Sequence, residues 1–135
     1  RVLFYLLSTK NLSLQFKKSS SGTSFTGYVD SDFANDPMSR RSVTGFVFIM
    51  AGAPISWKSQ AKSRTDTSSA MAEYTSLYEA AREAFSIRQF LHSIGFSQNA
   101  PTTIMSDNNA AIAIATNSRI EDLSKHIDVK FHYTR

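Results

Sequence analysis

Residues 68–95 read SSAMAEYTSLYEAAREAFSIRQFLHSIG, and the spacing within them decides the fold class. Positions 73, 77, 80, 84, 87 and 91 recur at helical intervals and fall on one stripe. Their residues are Glu73, Leu77, Ala80, Ala84, Ile87 and Leu91. Five are apolar and the first is a carboxylate, so Glu73 points toward whatever the helix packs on. Glu79, Arg82, Glu83 and Ser86 fall on the opposite side, which is expected to be solvated. Ser68 and Ser69 offer an N-cap and Gly95 a left-handed C-cap, so a long helix is expected up to about Ile94.

The residues before this helix read as strands. Phe25 to Phe33 is one, rising into Asp30-Ser31-Asp32 and broken by Asn35-Asp36-Pro37. Gly45 to Met50 is a continuous apolar run, as for a strand buried on both faces. Ala51-Gly52-Ala53-Pro54 is a tight turn, and Ile55 to Lys58 is the next strand. Three consecutive strands with short turns make an antiparallel meander. Before them, Val2 to Leu7 suits the end of an amphipathic helix, and Leu12, Leu14 and Phe16 alternate like a strand. After the long helix come a short strand (Pro101 to Ser106), an Ala/Ile-rich helix (Asn108 to Thr116), a loop, and a helix starting at Ile127. The order implies an α/β domain whose mixed sheet carries helices on its faces.

Composition sets limits. The 135 residues suit one domain with a real core. Hydrophobic residues make up 41% and aromatics 12%, too many for a disordered chain. With no cysteine, disulfides, thiolate metal sites and cysteine nucleophiles are excluded. No apolar run approaches the length of a membrane span, so no membrane partner is expected. The net charge of +4 and pI near 9.5 are compatible with a polyanionic partner.

The acids are placed unusually. Glu73 on an inward stripe is costly unless it is paired, hydrogen-bonded or bound to a cation; the other reading is a helix-start Glu favoured by the dipole. Asp107 sits where a strand gives way to a helix, where ligands gather in open α/β sheets, but also where an N-cap is needed. Asp30 lies within a strand, where Asp is depleted. Asp32 and Asp36 read as solvated acids beside a turn. Carboxylates crowded together repel unless a cation compensates. Oxygen-only ligands favour Mg²⁺ or Mn²⁺ over zinc, and two such ions about 4 Å apart can clamp both oxygens of a phosphoryl displacement.

The chain resembles the ribonuclease H domain of copia-type LTR retrotransposon Pol polyproteins. The likeness rests on segments that run in order through nearly the whole chain: RVLFYLLSTK (Arg1 to Lys10), GYVDSDFAND (Gly27 to Asp36), RRSVTGFVF (Arg40 to Phe48), PISWK (Pro54 to Lys58), SSAMAEYTSLYEA (Ser68 to Ala80), MSDNNAAIAIA (Met105 to Ala115) and KHIDVKFHYTR (Lys125 to Arg135). It implies the ribonuclease H-like fold, a mixed sheet of a three-strand meander plus parallel strands, with helices on both faces. It implies Mg²⁺- or Mn²⁺-dependent hydrolysis of the RNA strand of an RNA–DNA hybrid, with two ions held by Asp30, Glu73 and Asp107. It further implies that residues 1–18 are the tail of a preceding reverse transcriptase and that residues 19–135 are the nuclease domain. That domain's last strand and helix, with a fourth acid in an Ala-Asp-x-Leu motif, would follow Arg135.

Met71 stands where the family often has Glu, off the inward stripe. Asp128 is a candidate fourth acid, although a capping role at the start of the final helix suits it better. Ser31, Arg40, Arg41, Lys58, Lys62, Arg64 and Asn108 are candidate substrate contacts. The implied partners are the hybrid and the polymerase of the same polyprotein, and the implied setting is intracellular, in a cytoplasmic virus-like particle or the nucleus. Two other readings stay open: a truncated or decayed remnant that folds without cleaving, and a tether-type domain that supports a polymerase.

Overall fold

A computed structural model describes residues 1–18, 22–32, 41–62 and 68–116. Their elements, in chain order, are α1 (Val2–Thr9), β1 (Phe25–Asp32), β2 (Val43–Met50), β3 (Ala53–Ala61), α2 (Ser69–Ser93), β4 (Thr103–Met105) and α3 (Asn109–Thr116). The strands form one mixed sheet in the order β3-β2-β1-β4. The first three strands pair antiparallel as the meander requires, and β4 adds to β1 in parallel.

Local chemistry explains the turns. Ala51 and Gly52 link β2 to β3 with φ of 54° and 81°, the two positive values a tight two-residue hairpin needs to match strand twist. The register then slips between Phe48 and Ile49, which pair with Ser56 and Pro54 and leave Ile55 without a register partner. Pro54 is tolerated because β3 lies at the edge of the sheet. Ser68 caps α2 by accepting from the Met71 N–H at 3.2 Å, and Gly95, at φ 88°, closes its far end.

The core lies between one face of the sheet and α2. Phe25 and Val29 of β1 and Phe46 and Phe48 of β2 meet Leu77, Ala80, Ala84 and Leu91 of α2, with Ile87 and Ile104 packed around them. Each fully buried aliphatic or aromatic side chain contributes about 1.5–3 kcal/mol. The α2 stripe is thus the seam expected from its spacing, and Glu73 lies on it at 9% exposure. Phe48, fully buried, lies over Gly27, where a Cβ would come within 2.5 Å of its ring. α3 packs beside α2 through Ala111 and Tyr74.

Three expectations are corrected, and a fourth, helices on both faces, is met on one face among the described residues. β2 is not buried on both faces: Thr44, Phe46 and Phe48 are buried, whereas Gly45, Val47 and Ile49 are only half-buried. The reason is the opposite face of the sheet, where Tyr28, Trp57 and Met105 stand exposed in the same cross-strand row as Val47. No helix covers that face among the described residues, so helices on both faces are not observed there. Leu12, Leu14 and Phe16 form no strand, because alternation without a neighbouring edge yields no ladder; the segment's backbone meets the sheet through a 2.8 Å bond from Lys17 N–H to Ala51 O. Finally, α1 is not amphipathic: Val2 to Leu7 are apolar on every side and all are exposed.

Candidate metal centre

β1 and β4 build two thirds of the site. Tyr28 pairs with Met105 at the last described step of their parallel register. Continuing that register by two residues puts Asp30 beside Asp107 at the carboxyl ends of both strands, the edge where open α/β sheets gather ligands. Asp30 shares the exposed side of β1 with Tyr28 and Asp32. Its Oδ1 accepts from the Ser31 N–H at 2.7 Å, which fixes the carboxylate.

Asp107 is not the cap of α3. That role belongs to Asn108, whose Oδ1 accepts from the Ala111 N–H at 2.9 Å. Asn108 N–H in turn donates to Ser106 Oγ at 3.3 Å. Asp107 is exposed and released from the helix it precedes.

α2 supplies the third acid. Glu73 lies beyond the first turn of the helix, on the buried stripe, which disposes of the solvated helix-start reading. One carboxylate oxygen from each of Asp30, Glu73 and Asp107 can be chosen so that all three lie within 4.8 Å of one another. Glu73 Oε2 is buried without a hydrogen-bond partner among the described residues. Burial raises the Glu73 pKa above its ordinary value, Asp30 and Asp107 push it further, and Lys62 opposes them.

A buried carboxylate oxygen with no donor, beside two more carboxylates, is the donor set a hard divalent cation takes. Asp30, Glu73 and Asp107 therefore fit a Mg²⁺ or Mn²⁺ ion.

The other candidate residues are dispersed. Ser31 faces the core side of β1 and is buried, its Oγ unpartnered among the described residues. Lys58 pairs with Glu79 at 2.7 Å, and Lys62 Nζ donates to the Ala72 carbonyl at 2.7 Å. Arg41 is exposed. Arg40, Arg64 and Asp128 lie outside the described residues. The expectation that Glu79 and Glu83 are solvated fails, because that flank of α2 overhangs β3: Glu79 meets Lys58, and Glu83 accepts from Ser56 Oγ at 2.6 Å. Sequence reading also missed Thr44 and Ser76, buried and joined at 3.1 Å under the turn that carries Glu73. Short hydroxyl residues in a strand and a helix carry no signal of such a contact.

An acidic, oxygen-lined centre at the carboxyl edge of a mixed α/β sheet is the class of site observed. Over 134 residues, 99% of its length, the chain is 34% identical to the retrovirus-related Pol polyprotein from transposon TNT 1-94 of Nicotiana tabacum. It spans 10% of that polyprotein. It is also 40% identical over 84 residues, 62% of its length, to secreted RxLR effector protein 161 of Plasmopara viticola, and those residues cover 58% of the effector. No protein-family model matches the chain, and no solved structure does. The likeness to a part of the Pol polyprotein, which covers nearly the whole of this chain, supports a retroelement origin for it.

Proposed function

We propose that the chain is the ribonuclease H portion of a retrotransposon Pol polyprotein and cuts the RNA strand of RNA–DNA hybrids made during reverse transcription. The observation that carries this reading is the convergence of Asp30, Glu73 and Asp107 around a buried, unpartnered Glu73 oxygen. Three elements distant in sequence deliver three acids to one spot. Repulsion among those acids opposes the arrangement when no cation is bound. The fold holds the arrangement nonetheless, as a site made for cations requires.

Mg²⁺ or Mn²⁺, as a pair of ions, would supply the Lewis acidity that activates water and stabilises the leaving oxygen. The chain's own groups orient and bind. The Ser31 N–H holds the Asp30 carboxylate in place. Asn108 caps α3 and so leaves Asp107 free to act as a ligand. Asp30 and Asp107 are exposed, so a polyanion can approach the centre from their side. The basic surplus of the chain assists such an encounter. Asp128, which lies outside the described residues, is a candidate fourth acid, with a capping role at the start of the final helix as the favoured alternative. The polymerase of the same polyprotein is the partner, and a cytoplasmic virus-like particle or the nucleus is the setting.

A labelled RNA–DNA hybrid tests the reading. The parent polyprotein is expected to cleave the RNA strand with Mg²⁺, and Asp30→Asn is expected to abolish cleavage. Cleavage that survives this substitution would reject the site assignment. Robust turnover by the 135-residue chain alone would bring Asp128 into the centre.

A further inference from the structure

We propose that Lys62 is a positioning residue for the acidic centre: its ammonium anchors the Ala72 carbonyl, so that the first turns of α2 hold Glu73 against Asp30 and Asp107. The inference rests on the cation-binding reading of that centre. From sequence, Lys62 is a candidate for gripping phosphate. Its side chain instead turns inward, with Nζ 2.7 Å from Ala72 O, the carbonyl immediately before Glu73.

That carbonyl is held from several directions. Ser76 Oγ lies 3.0 Å from it and 3.1 Å from Thr44 Oγ1 on β2. A hydroxyl has one proton, so when Ser76 donates to Ala72 O the Thr44 hydroxyl donates to Ser76. The main chain of Lys62 is itself moored, its N–H donating to Ser42 O at 2.8 Å. Ser42, Thr44 and Ser76 are buried almost completely, so water does not compete for these bonds.

On this turn the large buried side chain, Tyr74, packs toward α3 rather than the sheet. On the sheet-facing stripe of α2, no large aliphatic side chain precedes Leu77. Toward the sheet, the turn that carries Glu73 is therefore tied by polar bonds to the end of β3 and the start of β2. An ammonium suits the task, because it gives a charge-assisted bond to the carbonyl while its charge acts favourably on the Glu73 carboxylate. Groups that orient metal ligands in this way commonly change metal affinity by about 10–100-fold when removed.

The test uses the full 135-residue chain and Mn²⁺ alone. Amide hydrogen exchange in metal-free protein reads the tie, and Mn²⁺ titration followed by electron paramagnetic resonance reads its consequence. Lys62→Met is expected to speed exchange over residues 72–77, to leave residues 84–93 unchanged, and to weaken Mn²⁺ binding by roughly tenfold or more. Lys62→Arg, which keeps the donor, is expected to restore most of both. Thr44→Val should act in the same direction and more weakly.

Loss of a positive charge by itself would tighten cation binding. Tighter or unchanged Mn²⁺ binding in Lys62→Met, with unchanged exchange at residues 72–77, would overturn the proposal. If the wild-type chain takes up no Mn²⁺, the nuclease reading fails, and the exchange result alone decides whether Lys62 anchors the turn.

Discussion

Gly27→Ala tests the packing that sets β1, the strand that carries Asp30. An added Cβ would lie 2.5 Å from Phe48 Cε1, 3.0 Å from Cδ1 and 3.1 Å from Cζ. Ordinary contact begins near 3.4 Å, so the ring would have to retreat by about 0.9 Å, the difference between those two distances. Phe48 has little room to do so. It is fully buried, and the rings of Phe25 and Phe46 hold it edge-to-face at centroid distances of 5.8 and 5.7 Å. Overpacking of this kind costs about 1–3 kcal/mol. The reduced freedom of the unfolded chain returns about 0.4–1 kcal/mol. The net expectation is a loss of about 1–2 kcal/mol, a melting temperature roughly 4–8 °C lower for a domain of this size. Urea unfolding followed by far-ultraviolet circular dichroism measures it. Phe48→Leu frees space in front of the new methyl, so the double substitution should cost less than the sum of its parts. A neutral or stabilising Gly27→Ala, or strict additivity with Phe48→Leu, would refute this account of the core.

Two further outcomes follow from the site. Glu73 titrates above its ordinary value in the metal-free fold, so folding favours its protonated form; that stability is complete below the ordinary carboxylate range and is lost as pH rises through the raised value. Glu73→Gln should therefore stabilise the metal-free chain at pH 7, with the gain vanishing below about pH 4. A stability difference that ignores pH would contradict the crowding of the three acids. Asn108→Ala should cost about 1 kcal/mol through loss of the α3 cap, whereas Asp107→Asn should be neutral or stabilising without metal. The reverse order in chemical denaturation would mean that Asp107 caps the helix after all.

Much of the architecture was legible because it rests on periodicity. The stripe from Glu73 to Leu91 named the face of α2 that is buried, and the strand read from Phe25 to Phe33 located β1. Alternation alone misled at Leu12, Leu14 and Phe16, since a strand exists only where an edge receives it. The apolar run of β2 was read as doubly buried because residue type cannot tell a covered face from a half-open one.

The site was legible in part. Asp107, Asn108 and Asn109 are all good N-caps, and only the backbone decides that Asn108 serves and Asp107 is free. Glu79 and Glu83 were placed in solvent because helical angles locate the core and not the overhanging edge of β3. Lys62 looked like any basic loop residue. Its inward turn depends on how the end of β3 passes under α2, a tertiary fact with no local signature.

The central claim is that Asp30, Glu73 and Asp107 share a divalent cation. Crystals of the chain soaked in Mn²⁺ test it most directly, through anomalous difference density. The account predicts a strong peak touching carboxylate oxygens of all three residues, absent in Glu73→Gln crystals treated alike. A map without density between those acids at saturating Mn²⁺, or with its peaks only elsewhere on the molecule, would contradict it.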